Sequence, residues 1–271
     1  RRHHQFTDTE RDPYDATRGF WWSHMGWIFH DNEDVYDFSN SQDLLDDRAV
    51  MWQHKWYWAL NFGAMIAVPL AIGLAIGRPF GMLLFAGLAR VVLSHQATFC
   101  INSLCHIVGT QPWSAKDSSR DSWIAALVTF GEGYHNYHHS FPADYRNGLK
   151  WFHFDPAKWL IWTGSHLGMT RDLKRASKPK RFSRQLEALH TRYQAQIQSM
   201  GPNWQKVVDE AKHAVDERLT NWNHRMREYR KAHRSGELTD QLRKALRDAE
   251  RSWRNAWADF QAIGNALPQA A

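Results

Sequence analysis

The stretch Trp56–Gly77 reads WYWALNFGAMIAVPLAIGLAIG and contains no Asp, Glu, Lys or Arg. At 1.5 Å per residue a helix of this length spans roughly 33 Å, enough for a hydrocarbon core of about 30 Å. Lys55 and Trp56-Tyr57-Trp58 stand at its start, where an aromatic belt and a cation anchor a span. Pro69 would kink a soluble helix but is tolerated in a membrane-spanning one. Arg78-Pro79 reads as a tight turn, and a second apolar stretch runs from Phe80 to about Gly109, interrupted by Arg90, Asn102 and His106. Ionisable groups inside a span are costly, so each is a functional candidate; for Arg90, snorkelling or a structural hydrogen bond is the competing reading. The expected spans are therefore 56–77 and 80–109. Together they form a hairpin that returns the chain to the side it left.

Composition supports a membrane protein. The chain has 271 residues, with 15 Trp, 16 His and a net charge of +6 from 34 Lys plus Arg against 28 Asp plus Glu. Trp favours membrane–water interfaces, where an apolar ring and a polar N–H are both accommodated. The mild basic excess suits anionic headgroups. No nucleic-acid partner is expected. Two cysteines, Cys100 and Cys105, both in an apolar stretch, exclude a disulfide scaffold. Phe20–Phe29 reads as an amphipathic interfacial helix.

Residues 182–264 are charged and helical in period. Trp204, Val208, Ala211, Val215, Leu219, Trp222, Met226 and Tyr229 step by three and four, as do Leu238, Leu242, Leu246, Ala249, Trp253, Trp257 and Phe260. Gly201-Pro202 and Ser235-Gly236 cut the segment into three amphipathic helices. A helical hairpin packed on itself or on the enzyme is expected, with a coiled-coil or membrane-surface contact as the other reading. The expected architecture is all-α: a membrane domain over 1–181 and a charged helical tail over 182–271.

The chemistry lies in the histidines. His135, His138 and His139 occupy i, i+3 and i+4 and share one helix face; Asn102 and His106 occupy i and i+4 on the second span. His3 and His4 add two more imidazoles. The hairpin requires the N-terminal pair and the 135–139 cluster to lie on one membrane face. Six histidines from three elements exceed the needs of one tetrahedral zinc and suit two metals with nitrogen-rich coordination, iron being the choice if O2 is to be activated.

These motifs resemble the integral-membrane fatty acyl desaturases of the stearoyl-CoA (Δ9) desaturase-like group, of the bacterial type. Arg1-Arg2-His3-His4 looks like the end of the family's H-x-x-H-H box. The stretches Thr7–Tyr14, Gly19–Trp27 and Val50–Tyr57, with Asn102-Ser103-Leu104-Cys105-His106 and Gly131–His139, follow in the family's order. The likeness covers about residues 1–165.

The resemblance implies a bundle of four spans, two of them present here, under a cytosolic helical cap. It implies two non-haem iron ions held by His3, His4, His106, His135, His138 and His139, with Asn102 acting through a water. The implied reaction places a cis double bond, usually at Δ9, in a saturated acyl chain, consuming O2 and two electrons. Substrate contacts are expected from Arg11 and Arg18 and from the aromatic residues Trp21, Trp22, Trp27 and Phe99. Glu132 is expected to orient a ligand histidine by hydrogen bonding; His95, where the family carries no His, is expected to be a supporting or structural residue; His24, His54, His153 and His166 rank lower, as supporting, interfacial or headgroup contacts.

Two departures from the family's pattern shape the expectation. The first box, H-x-x-x-x-H, two spans and the leading His of H-x-x-H-H are not in the sequence, so an N-terminally truncated fragment, inactive alone, is expected. The stretch His30–Asp37 is acidic where the animal enzymes are basic, which would repel a CoA phosphate and keeps an acyl-lipid or acyl-carrier-protein substrate beside acyl-CoA. With no haem or iron–sulfur motif, electrons are expected from a separate ferredoxin, rubredoxin or cytochrome. The basic run Arg171, Lys174, Arg175, Lys178, Lys180, Arg181 and Arg184 places the catalytic face in the cytoplasm. Competing readings are a membrane di-iron hydroxylase, with the same His boxes, and a non-catalytic membrane-anchored helical interaction protein.

Overall fold

The structure, a computed structural model, describes residues 1–30, 38–198 and 200–267. The acidic stretch 31–37 lies outside the described residues. No β-strand occurs among the described residues, only two isolated bridges, Thr110 with Asp121 and Asp121 with Tyr134. The chain divides into two compact units: residues 1–110, 117–135 and 146–166 form the first, and 111–116, 136–145 and 167 onward form the second. The compositional limit at 181–182 falls inside the helix Lys178–Ile197 of the second unit.

The first unit is built on the hairpin. Two helices, Tyr57–Ala75 and Pro79–Ile107, are long and apolar enough to cross a membrane. Their ends lie close to those expected from the sequence. Phe62, Ile66, Leu74, Phe85 and Leu93 point away from the protein, as suits helices whose solvent is lipid. Within the first span, Gly63–Ala67 is wound as a π-helix, immediately before Val68-Pro69. Pro69 has no N–H for the Met65 carbonyl four residues back, and the widened turn lets the helix continue past it. The second span approaches at that carbonyl: a Cβ on Gly87 would stand 2.6 Å from the Met65 oxygen, so only glycine allows the contact. Arg90, exposed, donates from Nε to the Ala86 carbonyl at 2.8 Å, which fits the structural hydrogen bond weighed for it.

Residues 20–29 do not form the single amphipathic helix expected. A short helix, Phe20–His24, stops at Met25, and a 3₁₀ turn covers Gly26–Phe29. The reason is chemical: the buried side of this segment is polar. Ser23 and His24 are buried, and His24 bridges the Ser103 hydroxyl (Nδ1, 2.9 Å) and the Gln96 amide oxygen (Nε2, 3.0 Å) on the second span.

The second unit confirms the three tail helices, Lys178–Ile197, Pro202–Ser235 and Asp240–Ala266, broken where Gly201-Pro202 and Ser235-Gly236 stand. Gly236 takes a left-handed backbone (φ 74°) that closes the long helix. Two apolar clusters hold them: Leu186, Val208, Val215 and Phe260 in one, Leu219, Trp222, Ala249 and Trp253 in the other. The tail thus packs on itself. In the same unit Asn136 organises the segment 113–114. Its amide oxygen accepts from the Trp113 and Ser114 N–H groups at 2.9 and 3.2 Å, and its nitrogen donates to the Ser114 carbonyl at 2.8 Å.

Candidate metal centre

Three of the expected ligands meet inside the first unit. His3 precedes the first span, His106 ends the second, and His135 begins the helix His135–Ser140. All three are buried, and each offers a ring nitrogen within 4.8 Å of the others'. Ring centroids stand 5.3 Å apart for His3 and His106, 4.9 Å for His106 and His135, and 6.4 Å for His3 and His135. The hairpin does what the sequence required of it, bringing residues about 130 positions apart to one place on one side of the spans.

A short polypeptide frame fixes His106 against His135. The Arg120 N–H donates to the Cys105 carbonyl at 2.8 Å, and the Arg120 carbonyl accepts from the His135 N–H at 3.2 Å. Two residues on, the Ser122 N–H donates to the Gly133 carbonyl at 2.8 Å. Gly133 has to be glycine, because a Cβ there would stand 2.0 Å from the Ala126 nitrogen. The strand-like segment 120–122 is therefore clamped between the end of the span and the start of the histidine helix.

Behind the ring nitrogens lies a hydrogen-bonded carboxylate chain that the spacing did not reveal. The Nδ1 of His3 lies 2.9 and 3.0 Å from the two oxygens of Asp12, which is buried. The Nδ1 of His106 lies 2.8 Å from the Ser118 hydroxyl, and that hydroxyl donates to Asp8 at 2.6 Å. Asp8 also accepts from the Ser118 N–H at 2.5 Å, while its own N–H donates to Asp12 at 3.0 Å. Asp8 holds a left-handed backbone (φ 61°), which Asp tolerates better than most residues. Asp12, Asp8 and Ser118 thus link His3 to His106 and engage Nδ1 of each, so that a metal held by these two rings would bind at Nε2. Carboxylates and hydroxyls in this position orient metal-binding imidazoles and raise their basicity. The donor set, nitrogen-only with carboxylate support, fits a first-row transition metal.

His139 lies one turn past His135 on the same helix and His138 half-buried beside it, with ring centroids of His138 and His139 6.2 Å apart. His4 is exposed, its ring edge-on to His3 at 5.6 Å. Asn102 is half-buried at the end of the helix Arg90–Asn102, and a turn at Ser103 interrupts the regular helix between it and His106. His95 is exposed and tilted against Phe99. Glu132, half-buried, hydrogen-bonds with Asn147; burial raises its carboxyl above the ordinary range, and Asp155 adds to the rise.

Among the expected substrate contacts, Arg18 stacks over Trp22 at 3.2 Å and Arg11 over Phe6 at 3.9 Å. Trp27 meets Tyr14 edge-on at 5.2 Å, Phe99 meets His24 at 5.7 Å, and Trp21 is exposed. His153 stacks on Tyr134, and His166 bonds its own helix at the Trp162 carbonyl. The residues missed were Asp8, Asp12 and Ser118. The pair of carboxylates four apart just after His3-His4 was visible in the sequence, but nothing in the spacing tied either to a histidine.

A family model described as fatty acid desaturase matches residues 1–170. The chain is 48% identical over 177 residues to acyl-CoA desaturase 1 of Saccharomyces cerevisiae, covering 65% of this chain and 35% of that protein. It is 45% identical over 175 residues to a probable acyl-CoA desaturase of Schizosaccharomyces pombe, covering 64% and 36%. Over 172 residues it is 33% identical to the sn-2 palmitoyl-lipid 9-desaturase of a Nostoc species, covering 63% and 60%. The chain thus spans about a third of the length of the two yeast relatives.

Proposed function

This chain belongs to the fatty acid desaturase family, and on that premise we propose that the protein is a membrane acyl-CoA desaturase that places a cis double bond, at Δ9, in a saturated acyl chain. The observation that carries the reading is the meeting of His3, His106 and His135 at one side of the hairpin. His4, Asn102, His138 and His139 are proposed to complete the ligand set. Two non-haem irons bound there would supply the activation of O2 needed to remove hydrogens from an unactivated methylene pair.

What the chain's own residues do is hold and exclude. Asp12, and Ser118 backed by Asp8, hold the His3 and His106 rings with Nε2 presented. A methylene in mid-chain offers no polar handle, so its position must be measured from the head group along an apolar path. Trp22, Trp27 and Phe99 are proposed to line that path, with Trp21 at its margin; Arg11 and Arg18 are proposed to meet the head group. Glu132 and His95 are proposed as supports around the ligands. The names of the yeast relatives favour acyl-CoA, and an acyl-lipid substrate is the outcome to be distinguished from it. Electrons are proposed to come from a separate ferredoxin, rubredoxin or cytochrome, with the catalytic face in the cytoplasm.

The test supplies the full-length protein with saturated acyl-CoA or acyl-lipid, O2 and a donor, and identifies the product by mass spectrometry. An alkene is expected. An alcohol would replace the reading with hydroxylation, and fewer than about one iron per chain after reconstitution would remove the enzyme reading.

A further inference from the structure

We propose that the segment Ser122–Phe130 and the helix Pro156–His166 form a lipid-facing surface, so that the chain meets the membrane at more than its two spans. The helix Pro156–His166 is inside out for a helix facing water. Its one charged residue, Lys158, is 5% exposed. The Lys158 ammonium donates to the carbonyls of Gly148, Lys150 and His153 at 2.8, 2.9 and 3.1 Å. Meanwhile Trp159, Leu160 and Trp162 stand exposed, Leu160 at 75%. A water-facing helix does the reverse, turning its lysine out and its leucine in.

The second element repeats the pattern. Residues 122–131 carry no charge. The short helix Trp123–Val128 buries only Ala125 and Ala126, and presents Trp123, Ile124 and Leu127 outward. That helix packs against Arg90–Asn102 of the second span, so its apolar face adjoins a surface already suited to lipid. Three Trp among the six outward side chains match the headgroup boundary, where the indole N–H finds water and the ring finds acyl chain. Charge is missing from the patch itself, whereas a protein interface of this size would carry a polar rim. The occupant is therefore the outer part of a lipid leaflet.

The test uses the full-length chain in phosphatidylcholine nanodiscs, with Cys100→Ser and Cys105→Ala and a nitroxide at Leu127→Cys or Leu160→Cys. Leu93→Cys, exposed on the second span, gives the lipid standard, and Lys206→Cys gives the water standard. Collision with oxygen should lie above that of Lys206→Cys and at or below that of Leu93→Cys, and collision with a nickel chelate should fall well below that of Lys206→Cys. Chelate access equal to that of Lys206→Cys would place the surface in water and overturn the proposal. Exclusion of both reagents would overturn it in favour of a protein partner, a second copy included. Because a label can disturb its surroundings, the unsubstituted chain is also photolabelled with a diazirine lipid. Adducts on peptides from both segments are expected, and adducts confined to the two spans would contradict the proposal.

Discussion

At the residue scale, the site rests on which imidazole nitrogen each side chain presents. Ser118→Ala removes the hydroxyl from the His106 Nδ1 and separates that ring from Asp8. Asp8→Asn keeps the left-handed backbone, which Asn also tolerates, but puts an NH2 in place of one of the two oxygens that accept from the Ser118 N–H and hydroxyl. Each should weaken metal binding by about 10–100-fold, measured by competition with a chelator, while helical content stays unchanged. Unchanged affinity in both would show that the relay does not support the site. Glu132 offers a pH test. Burial and then Asp155 raise its folded-state pKa above the ordinary carboxylate value. Its contribution is therefore fully present below the ordinary pKa and is lost as pH rises through the raised one. Glu132→Gln should stabilise the protein more at neutral pH than in mild acid, read as the difference in thermal midpoint between the two conditions. His135, His138 and His139 were legible because three- and four-residue spacing puts them on one helix face, and His3, His4 and His106 because the motifs around them resemble the family's. Asp8, Asp12 and Ser118 were not, because a side chain that reaches its partner through a turn or a 110-residue excursion leaves no periodic trace.

At the element scale, long apolar or amphipathic runs read correctly and short ones did not. The spans follow from apolar length, and the tail helices from periodicity with glycine at their ends. Residues 20–29 misled because an aromatic run suggested one interfacial helix with its apolar face in the lipid boundary, whereas the face that packs on the protein carries Ser23 and His24. The hairpin has two tight points that the sequence marks only as glycines, Gly73 against Pro79 and Gly87 against Met65. Gly87→Leu must displace the Met65 carbonyl, a backbone atom, and should cost about 1–3 kcal/mol. Thermal unfolding in detergent would register it, with Gly87→Ala between Leu and wild type; an unchanged midpoint for Leu would mean that the spans do not meet there.

At the scale of the whole molecule, hairpin topology does the organising. Two crossings return the chain to its starting side, and His3 and His135 meet because of it. The family match ends at residue 170, and beyond it the chain turns basic: Lys174, Arg175, Lys178 and Lys180 are all exposed. An acidic electron donor is the proposed partner for this run. Neutralising the four should lower turnover without changing substrate binding, and more so at low ionic strength; unchanged turnover would remove the run from donor docking. What the protein does is decided by the reaction itself. Its most direct measurement is the product formed from a saturated acyl-CoA by the iron-loaded full-length protein with O2 and a competent donor. A cis Δ9 monounsaturated chain is predicted. A hydroxylated chain, or an unaltered one at full iron occupancy, would contradict the account.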